Sequence, residues 1–430
     1  MKILIKDIHL LDPHNDVDET GDIYIEDGKV KKEIGKPDLT ISGKGLYLVP
    51  GFVDIHTHIR EPGGEDIENF ESGSKAASAG GYTSIFVFPN TEPPIDNKGL
   101  VNYVIKRAEE ISLLHIYPVG AATIGRKGEK LTEMIDMVEA GCRAFTDDGD
   151  AIKSSKILRR VLEYLKNTGA KFIEHPEDKE LSDNGIINES FFSVFNGVKG
   201  IPDVSESIVV SRDIQIADFV NSPIHFAHIS CEKSLDMIRF GRERGVNVTF
   251  DVTPHHLVLC ENDVRLTDSN YKINPPLRNK KDCEALIKAL KDGFVDAIAT
   301  DHAPHPLYSK ELEFQIAPFG IIGLETSFSL LFTNFVSEGI IGFDHLIEHL
   351  SSKPARIFGV KFGEIKDNGI ADFTIIDPKK EWVVKEENLY SLSKNTPFIG
   401  WKLKGKVLMT MVEGIIIYNE GEFIRRKSVK

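Results

Sequence analysis

The chain has 430 residues, 41% of them hydrophobic, with a formal net charge of −14 and a pI near 5.5. That charge argues against nucleic acid or anionic membrane as a partner, while leaving room for a locally basic pocket that takes a small anion. The four cysteines, Cys142, Cys231, Cys260 and Cys283, have no C-x-x-C spacing and read as free thiols; with no signal-like start and no run near the ~18 apolar residues of a membrane span, a soluble cytoplasmic protein is expected.

Residues 1–47 read as short strands. Ile3, Ile5 and Ile8 stand among Lys and Asp, and Asp27-Gly28 separates two alternating runs, which is a hairpin signal. The apolar run 46–53 reads as a buried strand. Strand-like and helix-like runs then alternate. Strands are predicted over 84–89, 114–119, 142–146, 171–174, 224–228, 246–252 and 295–300, and helices over 100–111, 130–140, 155–167 and 282–291. With the run that leads to His56, this makes eight strands joined by crossovers, the pattern of a closed (β/α)8 TIM barrel, here spanning 48–358. Residues 304–323, containing Gly and Pro, read as a lid-like loop over the C-terminal face of that barrel. Residues 359–430 return to strand-like runs at 372–377, 406–412 and 415–418. Neither end has enough apolar surface for its own core, so 1–47 and 359–430 are expected to form one small β-sandwich domain.

Six residues with metal-ligating side chains fall at the C-terminal ends of five predicted strands: His56, His58, Asp148, His175, His228 and Asp301. Residues two apart on a strand share a face. His56 and His58 therefore point the same way, and Arg60 continues that face if the chain stays extended. A strand-end Asp is also a common helix N-cap, and periodicity does not choose between Asp147 and Asp148. His225 and His228 are three apart, so only one can point inward, and His228 is nearer the strand end. Four His and two Asp exceed one tetrahedral zinc site. They suit two metals a few ångström apart, an arrangement that produces a nucleophile at neutral pH and polarises a carbonyl. The implied chemistry is hydrolysis of an amide-like bond, or its reversal.

The stretch Pro50-Gly51-Phe52-Val53-Asp54-Ile55-His56-Thr57-His58 resembles the amidohydrolase superfamily. Within it, His58-Ile59-Arg60-Glu61-Pro62-Gly63 followed by Phe88-Pro89-Asn90-Thr91 is similar to the dihydroorotase family. The resemblance continues through Phe145-Thr146-Asp147-Asp148-Gly149, Thr253-Pro254-His255-His256, Asn274-Pro275-Pro276-Leu277-Arg278, Asp301-His302-Ala303-Pro304-His305 and Gly320-Ile321-Ile322-Gly323-Leu324-Glu325-Thr326. It is greatest with the bacterial form that carries Asp where relatives carry a carboxylated lysine. The resemblance implies two zinc ions, one on His56, His58 and Asp301, the other on His175 and His228, with Asp148 bridging. It makes Asp301 the catalytic acid and base. It assigns Arg60, Asn90 and His305 to the substrate carboxylate, and Asn274 with the backbone of Phe319 and Gly320 to the ring; His58 also borders the substrate. The implied reaction is reversible cyclisation of N-carbamoyl-L-aspartate to (S)-dihydroorotate, the third step of pyrimidine synthesis. A homodimer and an association with aspartate carbamoyltransferase are further implications. Hydantoinase or allantoinase activity is disfavoured by Arg60, Asn90 and the missing lysine. A non-catalytic scaffold is disfavoured because all six ligands are retained. His255, His256 and His302 are expected to pack or to support ligands from behind.

Overall fold

Gly51 divides the apolar run that leads to His56. Tyr47–Pro50 pairs antiparallel with Phe373–Val383 and parallel with Lys2–Asp12, whereas Phe52–Thr57 pairs with Tyr82–Val87. A side chain on Gly51 would come within 2.2 Å of the Thr83 side chain, so glycine is what lets the chain pass from one sheet to the other. The single predicted strand is thus two strands in two sheets. The computed structural model describes residues 1–426.

Nine strands from the two ends make one hydrogen-bonded sheet. The expected sharing of a core by both ends holds: Ile3, Ile5, Ile23, Ile25 and Leu48 pack with Phe373 and Met411. The inward spacing 3, 5, 8, 10 departs from strict alternation, and the pairing of Lys2–Asp12 with Val17–Glu26 explains it. The register shifts between Ile5 and Ile8, and Asp7 has φ +54°. One extra residue in the bulge returns Ile8 and Leu10 to the core face and bends the strand.

The barrel has eight parallel strands: Phe52–Thr57, Tyr82–Val87, His115–Ala121, Ala144–Thr146, Lys171–Glu174, Ile224–Phe226, Val248–Val252 and Ala297–Ile298. First and last meet through a Thr57–His302 bridge and through Asp54, which accepts from Thr300 N at 3.0 Å and from its hydroxyl. Val53, Ile55, Phe86, Ile173, Ala227 and Ala297 belong to the buried cluster that fills the interior. Several strands are shorter than predicted, and His58, Asp148, His175, His228 and Asp301 lie one to three residues past the last paired position.

Helices Lys98–Ile111, Ser155–Leu165 and Lys280–Lys291 begin within two residues of expectation. Met134–Ala140 is shorter, because Leu131 bridges Thr123 and the Thr132 hydroxyl donates to Ala121 O. Phe70–Gly80, Val204–Val220 and Glu232–Glu243 are additional helices. The first has a capping box between Asn69 and Ser72, and it buries Ser74, Ala76, Ala77 and Ser78. Small residues pack closely there, and for that reason the segment shows no apolar period. Among the described residues no helix is long and apolar enough to cross a membrane. All four cysteines are unpaired.

Candidate active site

The eight strands deliver their C-terminal ends to one face, and the six predicted ligands converge there. Asp148 stands at the centre. Its Oδ1 is 3.6 Å from His56 Nε2, 3.4 Å from His175 Nδ1 and 3.6 Å from His228 Nε2, and its Oδ2 is 3.7 Å from His58 Nε2. Asp301 Oδ1 lies 3.4 Å from His56 Nε2 and 3.1 Å from His58 Nε2. His175 Nδ1 and His228 Nε2 approach to 2.9 Å.

These groups fit a metal centre. His56 Nε2 and Asp148 Oδ1 are buried without a hydrogen-bond partner, although buried polar atoms are ordinarily satisfied. Two triads, His56–His58–Asp148 and Asp148–His175–His228, each bring their ligand atoms close enough to hold one ion. Burial lowers His56 and His175, yet the carboxylates around them outweigh it and raise both to about 9. Burial would raise Asp148 and Asp301, but the surrounding imidazoles hold both below the usual carboxylate range. Such a cluster attracts positive charge, and its donor set of imidazole and carboxylate suits zinc and its neighbours in the first transition row.

The supporting contacts settle what periodicity left open. Asp147 turns away, accepting from Thr123 N at 3.0 Å and from the Thr123 hydroxyl, and Asp148 alone enters the cluster. His225 is buried too, but it bonds to Asp251 and to Thr249 at 2.9 Å each. Asp251 in turn accepts from His228 N at 2.8 Å. His228 and Asp301 have φ of +38° and +47°, a left-handed conformation that is costly for non-glycine residues and accumulates at functional sites. It turns these side chains inward just after their strands end.

His58 Nδ1 lies 2.7 Å from Asn90 Oδ1. This nitrogen therefore donates, Nε2 keeps a lone pair for the cluster, and the Asn90 amide group is left to face outward. His175 Nε2 donates to Glu177 Oε2 at 3.1 Å, and the same oxygen accepts from Asn274 Nδ2 at 2.9 Å and Lys179 Nζ at 2.7 Å. Sequence reasoning passed over Glu177 and Lys179; the only signal was a carboxylate two residues after His175.

A cavity of about 340 Å³ opens over the cluster, lined among others by His58, Arg60, Asn90, Glu177, Asn274, Phe319 and Gly320. Arg60 Nε donates to Pro304 O at 3.2 Å, and burial lowers the guanidinium only to about 10, so it is charged at neutral pH. His305 stands behind the Gly320 turn. A Cβ on Gly320, where φ is +144°, would meet Ala303 O and His305 Cδ2 at 2.8 Å, so glycine is required for the loop to lie this close. Burial, with Arg60 and Lys310 near, lowers His305 to about 3. His256 is buried and ties two loops together, bonding Thr253 at 2.7 Å and Pro275 O at 2.9 Å. His302 works at the barrel seam, where its carbonyl accepts from His58 N at 2.9 Å.

A Dihydro-orotase-like family model matches residues 45–234. A protein named dihydroorotase from Geobacter metallireducens is 44% identical over 424 residues, covering 97% of this chain and 100% of its own length. One of the same name from Endomicrobium trichonymphae is 42% identical over 420 residues, again 97% and 100%. Among solved structures, an L-hydantoinase (dihydropyrimidinase) from Arthrobacter aurescens superposes with a TM-score of 0.87 at 23% identity, covering 98% of this chain and 97% of the other. That likeness shows the shared barrel and end-sheet fold.

Proposed function

Because the chain belongs to the dihydroorotase family, we propose that this site interconverts (S)-dihydroorotate and N-carbamoyl-L-aspartate with two zinc ions. His56, His58 and Asp301 would hold one ion and His175 and His228 the other, with Asp148 shared. The observation that carries this reading is the position of Asp148, within 3.4–3.7 Å of all four imidazoles. When bound, the ions supply a water nucleophile at neutral pH and polarise the amide carbonyl.

The side chains do the rest. Asp301, held ionised by the imidazoles beside it, accepts the nucleophile's proton and delivers it to the leaving ring nitrogen. In cyclisation the protonated carboxyl runs the same transfer in reverse. Arg60 presents the edge of its guanidinium to the substrate carboxylate. Asn90 adds an amide N–H, because its oxygen is engaged by His58. His305, beside the Gly320 turn, is assigned to the same carboxylate. Asn274 and the backbone of Phe319 and Gly320 bind the ring edge, and His58 borders it.

The test is hydrolysis of dihydroorotate by zinc-loaded, metal-analysed protein, with hydantoin and allantoin as controls. Dihydroorotate should be turned over in clear preference to both. No turnover by metal-replete protein would overturn the reading.

A further inference from the structure

One wall of the cavity, at Ala303, Phe319 and Gly320, is a long excursion held at its base by backbone bonds, from Ala303 N to Ile321 O at 2.8 Å and from Gly320 N to Lys272 O at 3.0 Å. After Asp301 the chain carries His305, passes through the short helix Leu307–Lys310, and returns at Phe319 and Gly320. Besides those backbone bonds, one side chain from far along the sequence bridges the two ends of this excursion. Asn395 Oδ1 accepts from His305 N at 3.0 Å. Its Nδ2 donates to Ala303 O at 3.0 Å and to Gly320 O at 3.1 Å, and its own carbonyl accepts from Ile322 N at 3.0 Å.

Asn395 is 4% exposed, so none of these bonds is readily replaced by water. The pattern needs one acceptor and two donors on a short side chain. Aspartate lacks the donors, and glutamine is a methylene too long. Asn395 sits on a segment tied to the barrel: the Ser391 hydroxyl donates to Glu68, and the Ser393 hydroxyl donates to Ile67 O at 2.9 Å. Lys310 Nζ reinforces the return limb, donating to Pro318 O at 2.9 Å and Gly320 O at 3.1 Å. Lys310, however, lies within the excursion, whereas Asn395 anchors it from outside.

We propose that Asn395 is a positioning residue for substrate recognition, fixing His305 relative to the Phe319–Gly320 turn and thereby setting the shape of the cavity mouth. This rests on the reading that those two elements contact the substrate. Asn395 forms no hydrogen bond to any metal-ligand candidate. Loosening it should weaken ground state and transition state alike, which raises KM and spares kcat.

The experiment uses zinc-loaded full-length Asn395→Ala, assayed for dihydroorotate hydrolysis alone and combined with His305→Ala, with metal content measured alongside. KM should rise about tenfold and kcat change by less than about threefold, with metal content unchanged. The double variant should lose less than the product of the two single losses, because Asn395 acts in part through His305. A KM within about twofold of the parent, a kcat loss exceeding the rise in KM, or losses that multiply in the double variant would each overturn the proposal. If Asn395→Ala does not fold, Asn395→Asp carries the same test, since it keeps the acceptor for His305 and loses both donors. Hydrogen exchange checks the geometry without substrate. The amide of His305 should lose protection in Asn395→Ala while the barrel strands keep theirs, and unchanged protection there overturns the proposal. An inactive parent with that protection lost would instead defeat the functional reading, and the substrate role of Asn395 with it.

Discussion

The two halves of the candidate metal cluster are built differently. His56 and His58 come from one strand and its exit, and Asp301 joins them from the neighbouring strand across the barrel seam. Their supports are an amide and a backbone-bonded carboxylate: Asn90 behind His58, and Asp54 accepting from His56 N at 3.2 Å. His175 and His228 come from two separate strands and bring no carboxylate of their own beyond the shared Asp148. Carboxylates stand directly behind them instead, Glu177 on the ring of His175 and Asp251 on the backbone of His228. Against their burial, His56 and His175 are both raised to about 9 by the carboxylates around them, so the difference between the halves lies in the ring partners of His58 and His175. Burial and the nearby Arg60 lower His58, despite Asp301 and Asp148. Burial also works against His175, but Asp148 and Glu177 raise it to about 9. A carboxylate behind an imidazole makes it a more basic ligand, so the half with fewer ligands has, in Glu177 on the His175 ring, a stronger ring partner than Asn90 gives His58.

The most severe way to break this contrast is to remove what the halves share. Asp148→Ala is expected to lose both ions and to take hydrolysis to the detection limit, with metal analysis and assay run on the same sample. Retention of one stoichiometric ion would show that one half stands without it.

Arg60→Met tests whether the first half also orients substrate. Loss of a desolvated carboxylate partner costs about 2–5 kcal/mol, read in kcat/KM for dihydroorotate with both ions retained. A wild-type kcat/KM would remove Arg60 as the anchor.

Glu177→Gln sharpens the contrast itself. Affinity for the ion on His175 and His228 should fall about 10–100-fold while the other ion is unaffected, measured by chelator competition. Equal losses at both ions would abolish the distinction between the halves.

The smallest effect lies in pH dependence. With Asp301 held low by its imidazole neighbours, hydrolysis needs its ionised form and cyclisation its protonated form. Hydrolytic kcat/KM should therefore fall as pH drops, and the cyclisation rate should fall as pH rises, each by up to about tenfold per unit. The midpoints belong to the coupled cluster rather than to Asp301 alone. Two profiles that decline on the same side would end the shared acid–base role.

Sequence alone determined the types of the six candidate ligands, their order and their common face. Each lies at the end of an apolar run, and a parallel barrel presents all such ends together. It likewise determined that the two chain ends share a core, because neither could bury one alone. It did not separate Asp147 from Asp148, since adjacent residues at a strand exit have no fixed side; the Thr123 contacts decided that. Nor could a period of two reveal that His225 and His228 would both be buried. That depended on the left-handed turn at His228 and on Asp251 bonding to both. Helix Phe70–Gly80 was illegible because close packing there selects small residues rather than an apolar stripe. Glu177 and Asn395 belong to no pattern that the sequence displays. Their roles come from partners brought together by the folded chain, and a hydrogen bond between distant segments leaves no local pattern to read.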